Sequence, residues 1–347
     1  MKDISRRDFF KLAGTVTAGA ALSGIDGMDQ TMAQAPVIGS ADMTGMRSSV
    51  GSKAKVYFTK HIDANHLIEL YDRISASIYG KVAIKLHTGE PHGPNILPRD
   101  MVQKFQAHIP DSTIVETNTA YEGGRFSTEK HRKTLATNGW TFAKVDIMDE
   151  EGELAFPVRN YLRLPEVVMG AHLVNYDSLV VLTHFKGHTS GGFGGSLKNI
   201  AIGCASGRTG KYQVHGVRPG VLPGSDEWTK TKAVKDDFME NLADSGKAVC
   251  DYFGKRIVFL NVMRRMSVDC DCAGTSAAEP TIPDLGMMAS TDILAIDQAC
   301  VDMVYAQPEK ERHDLVERIE SRHGLHQLAA MRKLGMGNPH YEIVSID

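Results

Sequence analysis

Short apolar runs of strand character alternate along this chain with segments of helical periodicity, at about the spacing of βα units. That alternation limits the possible folds more than any other feature. Ala54–Thr59 reads as a strand. His66–Ile78 reads as a helix with Leu67, Leu70, Tyr71 and Ile74 on one face, and Lys81–Leu86 as the next strand. The pattern continues with a helix over Arg99–His108, a strand Thr113–Glu116, and a helix capped by Ser127 or Thr128 that stops near Asn138 and Gly139. A strand Phe142–Ile147 and a helix Leu164–Leu173 follow, and then a strand Ser178–Thr183. Further on, Lys198–Ala205 predicts a short helix and Glu227–Phe253 contains a longer one. Arg256–Val262 reads as a buried strand, and Asp292–Tyr305 and Glu309–Leu334 as helical. The expected fold class is α/β: a mainly parallel sheet flanked by helices, in two lobes around a cleft. The segment Gly216–Gly224, with Pro219 and Pro223, is the expected junction. It separates an N-terminal lobe over 54–218 from a C-terminal lobe over 219–347.

The first 35 residues have a different character. Ser5-Arg6-Arg7-Asp8-Phe9-Phe10-Lys11 precedes a mildly apolar run from Leu12 to Leu22, and Ala33-Gln34-Ala35 supplies a small-x-small cleavage site. These are the parts of a twin-arginine export signal. The expectation is a periplasmic or other extracytoplasmic protein, cut near Pro36 and handled by the twin-arginine translocase. Because that route carries folded proteins, a cofactor can be loaded before export. A polar leader over 36–53 follows. Beyond the signal there is no run of 18 or more apolar residues, so no membrane span is expected in the mature form. The net charge of −3, from 39 basic and 42 acidic residues, gives no reason to expect nucleic acid or an anionic membrane as partner. The five cysteines are an odd number and argue against a disulfide framework.

Chemistry is expected where the strand Ser178–Thr183 ends. The segment His184–Cys204 holds two histidines, two lysines and six glycines, four of them Gly191, Gly192, Gly194 and Gly195. Glycines let a backbone approach a ligand closely, and α/β proteins bind ligands at strand carboxyl ends. His184 and His188 suit acid–base work because imidazole titrates near neutrality, and Lys186 can join them. Lys186 and Lys198, with backbone N–H groups and Asn199, suit a phosphate or carboxylate. Lys85, His87 and Glu90 end an earlier strand and can meet the same cleft. Farther along, Cys270 and Cys272 stand two residues apart. In an extended segment both thiols would project from one face, toward one metal, with Asp269 and Asp271 on the other. The glycine pattern is not the Gly-x-Gly-x-x-Gly of a dinucleotide fold.

The segments His184-Phe185-Lys186-Gly187-His188, Gly192-Phe193-Gly194-Gly195-Ser196-Leu197-Lys198-Asn199 and Gly203-Cys204-Ala205-Ser206 resemble the signature of the iron–sulfur-centre proteins catalogued as domain of unknown function 362. Val82–Glu90, Thr117–Tyr121, Asp269–Cys272, Pro283–Gly286 and Ala295–Cys300 extend the resemblance from about Val56 to Tyr305. Cys204 and Cys300 fall in matching positions. With Cys270 and Cys272 the resemblance therefore implies four thiols, the number that a cubane iron–sulfur cluster or a structural zinc takes. Cys250 lies outside these motifs and is expected in the core. Many relatives carry a ferredoxin-like insertion after the Gly-Cys-Ala-Ser segment. This chain has Lys211–Gly216 there instead, so their electron-relay role does not transfer. The glycine loop is also similar to that of the nickel-pincer-nucleotide lactate racemase family. That likeness implies a cofactor tethered at Lys198 and nickel on His215, although Gly123–Phe126 lacks the histidine of that family's Gly-x-His-Arg-Pro element. The expected function is a metal- or iron–sulfur-dependent enzyme, an oxidoreductase or a proton-transfer enzyme, acting on a small anionic molecule. The alternatives are a non-catalytic carrier of metal or cofactor, an anion-binding module, and a pincer-type isomerase.

Overall fold

The computed structural model describes residues 53–347, so the expected export signal and nearly all of the expected leader lie outside the described residues. In chain order the strands and helices of the first half are β1 (Ala54–Thr59), α1 (Ala64–Asp72), β2 (Val82–Lys85), α2 (Arg99–His108), β3 (Ser112–Glu116), α3 (Thr128–Thr137), β4 (Val145–Ile147), β5 (Glu153–Pro157) and β6 (Glu166–Gly170). Next come β7 (Ser178–His184), β8 (Lys186–His188), β9 (Gly192–Gly194), α4 (Ser196–Gly203), α5 (Gly210–His215), α6 (Asp226–Thr231) and α7 (Asp236–Phe253). The chain ends with β10 (Ile257–Met263), β11 (Gly286–Ser290), α8 (Ile293–Tyr305), α9 (Glu309–Ser321), α10 (His326–Lys333) and β12 (Tyr341–Ser345).

Among the described residues, eight strands form one central sheet in the order β12-β1-β11-β10-β7-β2-β3-β4. Every neighbouring pair is parallel except those made by β11, which runs against both β1 and β10. The fold is thus α/β with a mostly parallel sheet, and strands from either side of residue 218 share it. Both faces are covered. Along β7, Leu179 and Val181 enter one apolar cluster while Val180 and Leu182 enter the other. The same alternation on β10 sends Phe259 one way and Val258 and Leu260 the other. Strands buried on two faces read as continuous apolar runs, which is why β7 and β10 stand out in the sequence.

The helix expected at Leu164–Leu173 is instead β6, the second strand of a β5–β6 hairpin, followed by a 3₁₀ turn. Val167 and Val168 are β-branched and pack on this two-stranded sheet opposite Phe156 and Ala155, so strand pairing overrides the apolar count. The helical stretch Glu309–Leu334 breaks into α9 and α10 at His323-Gly324, where His323 has φ +57°. No described helix is long and apolar enough to cross a membrane.

After β2 the chain runs to β3 on one side, and after β7 it runs toward β10 on the other. The carboxyl ends of β2 and β7 therefore flank a topological switch point, where an α/β sheet leaves a crevice. Lys85, Glu116 and His184 are the last residues of β2, β3 and β7.

Candidate functional site

A cavity of about 270 Å³ opens at this switch point. Its wall includes Lys85 and His87 from the end of β2 and just beyond it, Glu116 from the end of β3, and Thr117, Tyr121 and Arg125 from the loop beyond. His184, Lys186, His188, Gly194, Gly195, Lys198 and Asn199 come from the glycine-rich segment, and Lys211 and His215 from α5. Cys270 and Cys272 complete the wall. The glycine loop, the end of β2 and the cysteine pair thus share one hollow.

Local packing explains how the loop is shaped. Asp297, buried in the middle of α8, accepts from Ser196 N (2.7 Å) and Leu197 N (2.9 Å) and from Asn261 Nδ2 (2.9 Å). It caps α4 from across the core. The first amides of α4 are therefore occupied by a side chain of the protein itself. Gly195 exists for this contact, because a Cβ there would lie 2.4 Å from Asp297 Oδ1. Gly192 sits at φ +77° against Gly324 and Ile319. Gly191 and Gly192 do not line the cavity, although Gly191 N donates to His188 Nδ1 (2.8 Å). Asn199 is a clamp: its Nδ2 reaches Leu182 O (3.1 Å) and Thr183 Oγ1 (3.0 Å), fixing α4 to β7.

The basic residues differ in what they already hold. Lys85 donates to Glu116 Oε2 (2.9 Å) and Leu86 O (2.8 Å), with the two charged side chains 1% and 2% exposed. Burial raises the Glu116 carboxyl, but Lys85, His87 and Arg125 outweigh it and hold the group well below the usual carboxylate range. Lys186 donates to His184 O (2.8 Å) and pairs with Asp271 Oδ2 (3.0 Å). His184 faces two acceptors, Asp271 Oδ2 (2.9 Å) at Nδ1 and Arg264 O (2.7 Å) at Nε2. Burial pushes its pKa down while Asp271 opposes, and both ring nitrogens are engaged either way. His184 and Lys186 therefore brace the wall and leave no free nitrogen for a substrate. His188 is different. Its Nδ1 accepts from Gly191, so its proton sits on Nε2, and burial together with Lys198 keeps the ring neutral. It is placed as a hydrogen-bond donor.

Lys198 is 9% exposed, and its ammonium makes no hydrogen bond or ion pair among the described residues. Its charge acts on His188, His215, Cys270 and Cys272, all of which line the cavity with it. Lys211 donates to Thr117 Oγ1 (2.5 Å) and Ala205 O (2.6 Å), and burial brings its pKa down to about 8. His215 stacks on Phe238 (5.1 Å between ring centres, 23° apart), and burial followed by Lys198 takes its pKa down to about 4. It is a neutral imidazole at neutral pH.

Cys270 ends its extended stretch as the cap of a 3₁₀ turn over Asp271–Ser276. Both thiols reach the cavity, but Asp271, expected on the opposite face, turns inward to His184 and Lys186, because the chain bends there instead of staying extended. Asp269 does face away, toward Arg318 (3.2 Å). A hydrogen bond from Cys270 lowers the Cys272 thiol well below the ordinary thiol range against burial, with help from His87 and Lys198. His87 Nε2 lies 3.3 Å from Cys272 Sγ, and Arg125 Nη2 lies 3.5 Å from it.

The set of four cysteines is not assembled. Cys204 and Cys300 are fully buried in the apolar core and do not line the cavity. Burial pushes the Cys204 thiol up to about 12, and Cys300 rests against Asn261 and Met288. As expected, Cys250 is core. The donor set therefore does not fit a cluster held by four thiolates. Nor do two thiols and an imidazole converge at the corner. Among the described residues, the three donors that do lie within 4.8 Å of one another are Asp146, Glu150 and His172, elsewhere in the fold and partly exposed. Glu116, Arg125 and Tyr121 are site residues that the sequence reading did not single out. Tyr121 donates to Glu90 (2.7 Å), which also accepts from Arg125 (2.9 Å). The only signals for them in the sequence were a strand ending in a carboxylate and the Gly-Gly-Arg turn.

Residues 82–302 match the model of the family described as domain of unknown function (DUF362), well over half of the chain. Among solved structures the chain is similar to the lactate racemase apoprotein from Thermoanaerobacterium thermosaccharolyticum. The identity is 14% and the TM-score 0.34, over 60% of this chain and 50% of that one. It is also similar to a structural-genomics protein from Thermotoga maritima, at 12% identity and a TM-score of 0.35, over 59% and 52% of the two chains. The chain spans about half the length of these solved structures. No curated protein matches it.

Proposed function

We propose, for a chain that belongs to the DUF362 family, that it is an enzyme binding a small anionic substrate at Lys198 and acting on it by proton-transfer or redox chemistry at the Cys270–Cys272 corner. One observation carries this reading: a nearly buried ammonium faces the cavity with no hydrogen-bond or ion-pair partner among the described residues. Withdrawing a cation from water without a counter-ion costs several kcal/mol, which a bound anion would offset. His188 Nε2–H then donates to the substrate. Lys211, whose acceptors are both uncharged oxygens, adds a second positive charge to the wall.

The direct test is calorimetric titration of inorganic phosphate and succinate into the wild-type chain and Lys198→Met. At least tenfold weaker binding in the variant is expected. Failure of the wild type to bind either anion, or equal affinity in the variant, overturns the reading.

A metal is the second reading. Two thiols and the neutral His215 line the same cavity without converging as they stand, so a metal would have to draw them together; soft sulfur with imidazole suits nickel, iron or zinc. Metal analysis and intact mass of protein purified from its own host separate the finer possibilities. Nickel with a covalent adduct on Lys198 supports a pincer-type isomerase. Iron lost on Cys270→Ser supports an iron–sulfur enzyme. Reversible metal binding without turnover supports a carrier. We further propose export by the twin-arginine route, tested by N-terminal sequencing of the extracytoplasmic form, which should start near Pro36.

A further inference from the structure

Three side chains distant in sequence line up along one edge of the cavity. His87 Nε2 lies 3.3 Å from Cys272 Sγ, and His87 Nδ1 lies 3.3 Å from Glu116 Oε1. Glu116 is itself fixed: Oε2 accepts from Lys85 Nζ (2.9 Å), and Oε1 accepts from Thr88 N (2.9 Å) and Thr88 Oγ1 (3.1 Å). A nucleophile against an imidazole, with a rigidly held carboxylate behind the other ring nitrogen, is an arrangement that activates a sulfur or oxygen nucleophile on unrelated folds. Cys272 is also the one cysteine of the five that is not buried. Arg125 Nη1 comes within 3.4 Å of the same His87 nitrogen and 3.6 Å of Glu116. Glu116 and Glu90 offset its charge where it meets the imidazole.

We propose that Cys272, His87 and Glu116 form a nucleophilic triad that makes a transient thioester with small acyl substrates bearing a carboxylate or phosphate. The choice of an anionic substrate rests on the Lys198 reading above. In the first step Cys272 Sγ adds to the carbonyl carbon and the bond from that carbon to the leaving oxygen breaks. The departing oxygen takes the proton from His87 Nε2. In the second step water adds to the thioester carbonyl and gives a proton to His87 Nε2. The carbon–sulfur bond then breaks, and the thiolate–imidazolium pair is restored. No oxidant, reductant or further reactant is required. Arg125 and the His188 Nε2–H stand on the cavity wall where oxyanion charge can be met, and the Cys270 thiol steadies the Cys272 sulfur.

The test uses the purified chain and two aryl esters: the anionic 4-nitrophenyl monoester of succinate and the neutral 4-nitrophenyl acetate. The expected result is a stoichiometric burst of nitrophenolate with one acyl group on Cys272 by intact mass and peptide mapping. Cys272→Ser should abolish the burst. His87→Asn should slow it at least 100-fold while the fold, checked by circular dichroism and melting temperature, is retained. A burst that survives Cys272→Ser, an acyl group mapping to Lys198, Lys211 or Cys270, or no burst in a wild type whose thiols titrate as free overturns the triad. The substrate reading fails separately. If Cys272 acylates but the rate ratio of anionic to neutral ester does not fall in Lys198→Met, the triad stands and the anion site does not.

Discussion

Replacing Glu116 by Gln tests the electrostatic frame on which the site is built. Glu116 is the common acceptor for Lys85, His87 and Thr88, and the Lys85 pair is almost wholly buried. Removing one partner of a buried pair strands the other charge, at a cost of about 3–5 kcal/mol. With an unfolding entropy near 2.1 cal/mol/K per residue over roughly 300 ordered residues, each kcal/mol moves the melting temperature by about 1.6 °C. The expected drop is therefore about 5–8 °C. The double variant Lys85→Met/Glu116→Gln removes both charges and should be clearly less destabilised than the sum of the two single variants. The pH dependence has a definite sign. Because the carboxyl is held below its usual range in the folded state, its contribution is present above the unfolded value near 4.5 and is lost as pH falls toward the lowered folded value. Wild type should therefore lose more stability on acidification below pH 4.5 than Glu116→Gln does. Thermal and urea unfolding across that window measure both effects. A drop under 1 °C, strictly additive single variants, or identical acid profiles would refute the reasoning.

Three further outcomes are expected. Gly195→Ala should cost about 1–3 kcal/mol, read by urea unfolding, because its methyl group enters the space of the Asp297 carboxylate and disturbs the cap of α4. Iodoacetamide on the native, metal-free chain should label Cys272 first, leaving Cys204, Cys250 and Cys300 unmodified until denaturant is added. Peptide mapping that finds a buried thiol labelled first would contradict the packing described. Asp297 behaves opposite to Glu116: burial lifts its pKa to about 6 despite three donors, so its contribution is largest below the usual value of 3.8 and fades as pH rises through about 6. The stability of wild type relative to Asp297→Asn should accordingly decline between about pH 4 and pH 7, and a flat difference would contradict that ionisation.

Elements whose apolar pattern has one interpretation were legible in the chain. β1 spans Ala54–Thr59 and α2 spans Arg99–His108, as their periodicity predicts, and Ser127 caps α3 through Lys130 N. The segment Leu164–Leu173 failed because apolar content alone does not separate a buried helix from a hairpin strand, and the deciding partner, β5, ends nine positions before β6 begins. At the site, the glycine loop and the thiol pair were visible as motifs. Their functions divided only in three dimensions. His184 and Lys186 are tied to Asp271, while His188 and Lys198 keep a free donor or a free charge.

By itself, then, the order of residues determined that parallel strands would be buried on both faces and that a glycine-rich turn would leave the carboxyl end of β7. Both follow from interactions between near neighbours in the chain. Which cysteines face a common space, which lysine has no ion-pair partner among the described residues, and which carboxylate stands behind His87 were decided by crossovers that bring residues 31 to 185 positions apart within contact. Side-chain spacing carries no information over such separations. Only the packed sheet brings Cys272 to His87 and sends Cys204 and Cys300 into the core, where burial of apolar surface and not metal chemistry fixes their place.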